Sequence, residues 1–200
     1  MTMKIKDSGE RTEFSTGAVR DLRTGKGRMD LVPLDVASIL INFASEISYN
    51  TAKTGENSKD LTYHYMNEFV YHGNEENLIL AMYHMILHND IFVKEYFSTA
   101  ESLDVKIEDF EKVSARNVVA NAVLICSKHF ENGTLKYGER NWEKGMEIHC
   151  YIDSAARHYV KMLAGFADEP HHLAALWNLM CAIWTYKNKP ELNDLPCAKT

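Results

Sequence analysis

In the segment "IDSAARHYVKML", Ile152, Ala155, Ala156, Tyr159, Val160 and Leu163 fall at i, i+3, i+4, i+7, i+8 and i+11. An α-helix collects such residues into one stripe, whereas a strand would divide them between two faces. Gly165 stops this helix, and "DEP" at 168–170 gives acidic and proline start signals for another, "HHLAALWNLMCAIWTY". So short a connection folds the two helices back against each other. Upstream, "LDVASILINFASEI" spaces Val36, Ile39, Leu40, Phe43 and Ile47 helically, with Asp35 as its N-cap. "NEENLILAMYHMILHNDIFVKEYF" reads as one helix through Leu78, Met82, Met85 and Ile86. "EDFEKVSARNVVANAVLICSKHFENG" reads as a further long helical segment closed by Asn132-Gly133, and "YNTAKTGENSKD" reads as a loop. No stretch alternates as a strand, and no repeat is present. The expectation is an all-α helical bundle. Residues 34–200 form one helical domain behind an irregular N-terminal arm, 1–33, punctuated by Gly9, Gly17, Gly25, Gly27 and Pro33.

Two hundred residues, 46% hydrophobic and 25% charged, suit one globular domain with its own core. No apolar run reaches the ~18 residues that would cross a bilayer, and no apolar segment follows the N-terminal lysines, so neither a membrane span nor a secretory signal is expected. Cys126, Cys150, Cys181 and Cys197 form no CxxC pair and read as reduced thiols of a cytoplasmic protein. A net charge of −6 argues against a partner that is a nucleic-acid polymer, but leaves room for a small anion held by a few local cations.

Two loops offer such cations. "TGAVRDLRTGKGR" carries Arg20, Arg23, Lys26 and Arg28 among glycines, and "KYGERNWEKG" carries Lys136, Arg140 and Lys144 with the aromatic Tyr137 and Trp142. Neither matches a P-loop or dinucleotide fingerprint, although guanidinium forks, glycine and an aromatic face suit phosphate and a base. Solvated loops of ordinary charge would have the same composition. Asp153, His158, Asp168, Glu169, His171 and His172 can meet at one end of the last helix pair, where carboxylates and imidazoles suit Mg2+, Mn2+ or a softer metal. The same residues also fit plainer roles: Asp153 with Arg157 as a surface ion pair, and Asp168 with Glu169 at a helix start. The last helix has a small, polar side through His171, Ala174, Ala175, Asn178, Ala182 and Thr185, suited either to close packing or to a ligand oriented by His171 and Asn178. His84 and His88 flank "HND" but supply no His-Asp dipeptide of the kind HD phosphohydrolases need.

In order, "TGAVRDLRTGKGRMDLVP", "HFENGTLKYGERNWEKG", "YIDSAARHYVKMLAG" and "DEPHHLAALWN" resemble the phage-associated dATP/dGTP diphosphohydrolase family, related to the MazG-like all-α nucleotide pyrophosphatases; they cover about a third of the chain. The resemblance implies a MazG-like bundle with its core motifs in 130–187 and an inserted helical segment over about 36–125. It implies cleavage of dATP, dGTP or a related purine nucleotide to monophosphate and pyrophosphate, dependent on Mg2+ or Mn2+, in a homo-oligomer within a phage-infected host cytoplasm. On this reading Lys136, Arg140 and Arg157 hold phosphates, with Arg20, Lys26 and Arg28 as a second set. Tyr137 or Trp142 stacks on the base, and Asn141 and Asn178 orient the ligand. Asp153, Asp168, Glu169 and His171 hold the metal, with Asp153 and His158 catalytic beside the attacking water. The relatives' Glu-x-x-Glu and Glu-x-x-Asp pairs are absent from the last two helices; "ESLD" and "EDFE" at 101–111 match only in reversed order, and Pro170 replaces the acidic residue before the motif histidine. The alternative is therefore a nucleotide sponge that binds without cutting.

Overall fold

The computed structural model describes residues 9–22, 25–44, 49–52, 59–102 and 113–199. The described chain is all-α apart from one small ribbon. Its helices are α1 (Leu34–Phe43), α2 (Tyr49–Ala52), α3 (Thr62–His72), α4 (Glu75–His88), α5 (Asp90–Ser102), α6 (Ala115–Tyr137), α7 (Ile148–Leu163) and α8 (His171–Asn188). The last of these is the axis. Leu176, Leu179, Met180, Cys181 and Ile183 are all at most 1% exposed, and His171, His172 and Asn178 are buried with them. A helix without a solvent face needs neighbours all round, and α7, α6, α4 and α1 supply them. Truncating one of its leucines would cost about 2–5 kcal/mol.

The long helix α6 starts with a capping box, in which the Ser114 hydroxyl accepts from Asn117 N (3.1 Å) and Asn117 Oδ1 accepts from Ser114 N (3.1 Å). Asn132-Gly133 does not end it. The helix runs on to Tyr137 and stops at Gly138, whose φ of 84° is the left-handed value expected of a terminating glycine. The mid-helix glycine costs about 1 kcal/mol, and contacts from the arm offset it. Backbone N–H groups of Gly25 and Gly27 each donate to the Glu131 carboxylate at 3.1 Å, and Arg28 N donates to Ser127 O at 3.3 Å. Gly27 sits so close to α6 that a Cβ would lie 2.1 Å from Ser127 Oγ. This arm, expected to be irregular, also carries an antiparallel ribbon, β1 (Arg11–Glu13) with β2 (Val19–Asp21), pairing Thr12 with Arg20.

Other boundaries differ from the sequence expectation for local reasons. The single helix expected over 75–97 is two, because Asn89 leaves helical geometry (ψ 109°) and its amide donates to Met85 O at 2.7 Å, capping α4. Pro33, not Asp35, stands at the N-cap of α1, and Asp35 lies in the first turn; Val36, Ala37 and Leu40 are buried while Ile39 and Phe43 are exposed. Ile47 and the "EDFE" motif lie outside the described residues. Part of the expected loop is the turn α2, anchored by the Tyr49 hydroxyl donating to Leu87 O at 2.6 Å. Helix α3 was not read from the sequence, although Thr62, Met66 and Phe69 supply a buried i, i+4, i+7 face. In α7 the buried line runs through Ile148, Tyr151, Ala155 and Tyr159, leaving Val160 and Leu163 exposed. Asp60 ties α3 to α7: it accepts from Thr62 N (3.0 Å) and from the Tyr159 hydroxyl.

His84, 2% exposed, stacks on His88 with ring centres 5.7 Å apart, and His84 Nδ1 and His88 Nε2 are buried without a hydrogen-bond partner among the described residues. Burial, reinforced by His88 and only partly opposed by Asp60, holds the His84 imidazole below its ordinary pKa. Unfolded, His84 takes a proton near pH ~6.5; folded, it does so only at lower pH, so the unfolded chain binds more protons in that window. The denaturation midpoint is therefore expected to hold above about pH 6.5 and to fall below it. Urea titrations across that range, with His84→Met flattening the dependence, would check this.

Candidate functional site

The C-terminal part of α6, the turn that follows it, α7 and α8 enclose a cavity of about 910 Å3, within the ~300–1,000 Å3 usual for small-molecule sites. The helix α6 contributes His129, Gly133 and Lys136 at i, i+4 and i+7, with Phe130 and Tyr137 beside them. The loop contributes Arg140, Asn141 and Trp142; α7 contributes His149, Cys150, Asp153, Arg157 and His158; α8 contributes Trp177 and Asn178. The segment 136–145 thus turns its mixed residues toward a concave wall.

The loop is fixed. Arg140, held at φ 51°, donates through Nε to Glu143 Oε1 (2.6 Å) and through Nη1 to Asp30 O (2.6 Å), tying the turn Asn141–Lys144 to the arm. Trp142 is 7% exposed, donates its indole N–H to Leu31 O at 3.0 Å, and packs edge-on against Phe130 and Trp184. It is a wall, not a free platform. Tyr137 is 60% exposed, with the Lys136 ammonium 4.9 Å from its ring centre. Asn178 donates to Ala174 O at 2.8 Å; that leaves its amide oxygen for another donor.

At the join of α7 and α8, three ligating atoms converge. His158 Nδ1 lies 3.0 Å from His171 Nδ1, and Glu169 Oε1 lies 3.4 Å from the first and 3.5 Å from the second. Among the described residues this is the one such group of His, Cys, Asp and Glu. His171 Nε2 faces Asp168 Oδ1 at 2.9 Å; the carboxylate accepts from the ring N–H there, and the other nitrogen, as a lone pair, faces His158 and Glu169. His171 and then Lys161 hold the Asp168 carboxyl below its usual range. Burial keeps the His158 imidazole below its ordinary pKa, against the pull of Glu169. Three ligating atoms brought this close suit a cation. The fit is dimensional as well: bonds of ~2.1 Å put neighbouring donors ~3.0 Å apart in an octahedron and ~3.4 Å apart in a tetrahedron.

The structure brings His158, Glu169 and His171 together and sets Asp168 behind His171. Asp153 lies on the same cavity wall outside the triangle, where it accepts from Arg157 Nη2 at 2.5 Å. That exposed pair is worth ~0–1 kcal/mol. His172 turns away, its Nε2 2.9 Å from Glu95 Oε1 and its ring edge-on to Phe92. Arg20 and Lys26 line a separate cavity of about 540 Å3 with Asp21 and Asp30. Arg28 is paired with Asp30 and Glu139, which push its pKa up. His129, Cys150, His149 and Trp177 were not read as site residues. For His129, whose pKa is lowered by burial, the signal was the i, i+4, i+7 spacing to Gly133 and Lys136. It was hidden by ending the helix at Asn132-Gly133.

The model of the family described as dATP/dGTP diphosphohydrolase, N-terminal, matches residues 104–195. Over these residues, a little under half of the chain, the sequence is similar to that family. The three later sequence blocks lie inside the match and the first, in the arm, lies outside it; the match starts within the stretch expected to be an insertion. Neither the curated proteins nor the solved structures compared with the chain include a match.

A divalent ion is expected to raise the melting temperature in proportion to its binding, Mn2+ more than Mg2+ because two donors are imidazole nitrogens. His171→Ala should abolish the shift, and Asp168→Asn should weaken binding ~10–100-fold. Binding should fade only as the pH falls below the ordinary imidazole value of ~6.5, because protons compete for His158, whose pKa burial lowers. Thermal-shift titrations at several pH values test all three outcomes.

Proposed function

We propose that the protein is a metal-dependent nucleotide pyrophosphohydrolase that converts dATP, dGTP or a related purine nucleotide to its monophosphate and pyrophosphate. The observation that carries this reading is that His158 and Glu169, which converge with buried His171, border one cavity with the Lys136, Arg140 and Arg157 cations. The family matched over 104–195 bears the same activity in its description.

In this reading His158, Glu169 and His171 hold Mn2+ or Mg2+, Asp168 fixes the His171 tautomer, and Asp153 holds Arg157 in place. The ion, when bound, neutralises phosphate charge and acidifies water. Lys136 and Arg157 reach the phosphates from opposite walls, while Arg140 presents the edge of a fork already engaged by Glu143. Tyr137 stacks on the base, since Trp142 is packed inside, and the free amide oxygen of Asn178 accepts from the ligand. With His158 drawn into the cation site, we assign the proton from the attacking water to His129, an imidazole that α6 places on the wall and that burial favours as neutral. The site would serve a second copy equally. Val160 and Leu163, exposed one turn apart at the end of α7, with exposed Phe166 beyond it, are the surface we propose for self-association, and light scattering would read the mass.

One observation favours the non-catalytic alternative. The cation site contains one carboxylate, Glu169, because Asp153 is engaged elsewhere. Incubation with dATP or dGTP and Mn2+ separates the readings. Pyrophosphate release that falls at least ~100-fold in His171→Ala and in His129→Gln supports hydrolysis. Lys136→Ala and Arg157→Ala should chiefly weaken binding, by ~1–3 kcal/mol each. Nucleotide bound tightly with no pyrophosphate under either metal would establish the sponge.

A further inference from the structure

On the wall of the cavity away from the cation site, His149 Nδ1 is paired with Asp194 Oδ2, and His149 Nε2 lies 3.3 Å from Cys150 Sγ. Asp194 also accepts from His149 N at 3.1 Å, so one carboxylate both caps the start of α7 and fixes the ring above it. Adjacent side chains on a helix diverge by ~100°. The contact between His149 and Cys150 therefore depends on the ring being held over, which Asp194 does. With Nδ1–H directed at the carboxylate, Nε2 is left as a lone pair facing the thiol.

We propose that Cys150 is a reactive thiol of this cavity, with His149 as its base and Asp194 as the positioning residue, and that it is a modification site for small disulfides. Partial burial and the carboxylates of Glu147, Asp194 and Asp153 push the thiol above its ordinary range. The resting group is thus the protonated thiol, and a base has to remove its proton as it reacts. The step is thiol–disulfide exchange. Cys150 S–H passes its proton to His149 Nε2 while the sulfur attacks one sulfur of the incoming disulfide. The old S–S bond breaks, a new one joins Cys150 to half of the reagent, and the departing thiolate takes the proton back from His149. Cys150 is oxidised and the departing sulfur is reduced.

The other thiols set the contrast. Cys126 and Cys181 are 0% exposed, and burial pushes both upward. Cys197 is half-buried and lies near Gly73 and Asn193, away from the cavity. The test is incubation with oxidised glutathione at neutral pH, followed by intact-mass and peptide mass spectrometry. One mixed disulfide should form, at Cys150, faster than at Cys197; it should vanish in Cys150→Ser, persist in Cys197→Ser and reverse with dithiothreitol. His149→Gln should slow it about tenfold or more while Cys197 reacts at an unchanged rate, which reports an intact fold. Should His149→Gln alter the Cys197 rate, Asp194→Asn, which keeps a cap oxygen, replaces it and should slow Cys150 alone. Faster reaction at Cys197, or a Cys150 rate indifferent to both His149 and Asp194, would overturn the proposal.

Discussion

A helix with no solvent face is the constraint from which the arrangement follows. Burying α8 on every side leaves His171, His172 and Asn178 in need of partners, which come from its own backbone and from the surrounding elements. Asn178 uses its own backbone, His172 takes Glu95 from α5, and His171 takes Asp168 from the turn just before α8. Because that turn is short, satisfying His171 also swings Glu169 toward His158 on α7. The convergence of three donors is thus a by-product of closing the α7–α8 pair over a buried imidazole. It needs no dedicated loop.

The opposite end of the site depends on a second economy. The glycine-rich stretch of the arm has the free N–H groups that would cradle an anion, but the anion it holds is the Glu131 carboxylate of α6. That contact sits two residues before Gly133, where a helix is most prone to end, and it helps carry α6 through to Tyr137. Continuation is what brings Lys136 and Tyr137 onto the same face as His129. The arm therefore shapes the cavity from behind, through Arg140 and Asp30 O and through Trp142 and Leu31 O, rather than lining it with cations.

This explains what could be read in the sequence. Helical character, the α7–α8 turn and the family resemblance over 104–195 were legible because they rest on local periodicity, a Gly165 stop and contiguous motif blocks. The end of α6 was not, since Asn132-Gly133 is a sound local stop signal that a distant carboxylate–amide contact overrides. Helix α3 was hidden because its buried face includes Thr62, held by Asp60, and so lacks a continuous apolar stripe. At the candidate site, residue types brought forward His158, Glu169 and His171, which the fold places together, yet no spacing rule distinguishes Asp168 behind His171 from Asp168 as a ligand, or Asp153 on a metal from Asp153 on Arg157. Those assignments are fixed by rotamers, which the packing of α7 against α8 decides.

Charge then decides which ligands suit the finished cavity. Its walls carry the cations Lys136, Arg140 and Arg157 against the carboxylates Asp153 and Glu169, and two of the three cations are already paired within it, with Glu143 and Asp153. Taken alone, such a surface is too nearly balanced to draw in a triphosphate that carries several negative charges. In the proposed reading, a divalent ion held by His158, Glu169 and His171 would change that balance, adding two positive charges beside the Glu169 carboxylate and cancelling its repulsion of the phosphates. Nucleotide binding and metal loading would then be coupled by electrostatics before any chemistry is considered, each raising the other's affinity by the same factor. An enzyme and a sponge built on these residues would share that coupling, and they would part only at what happens to the water.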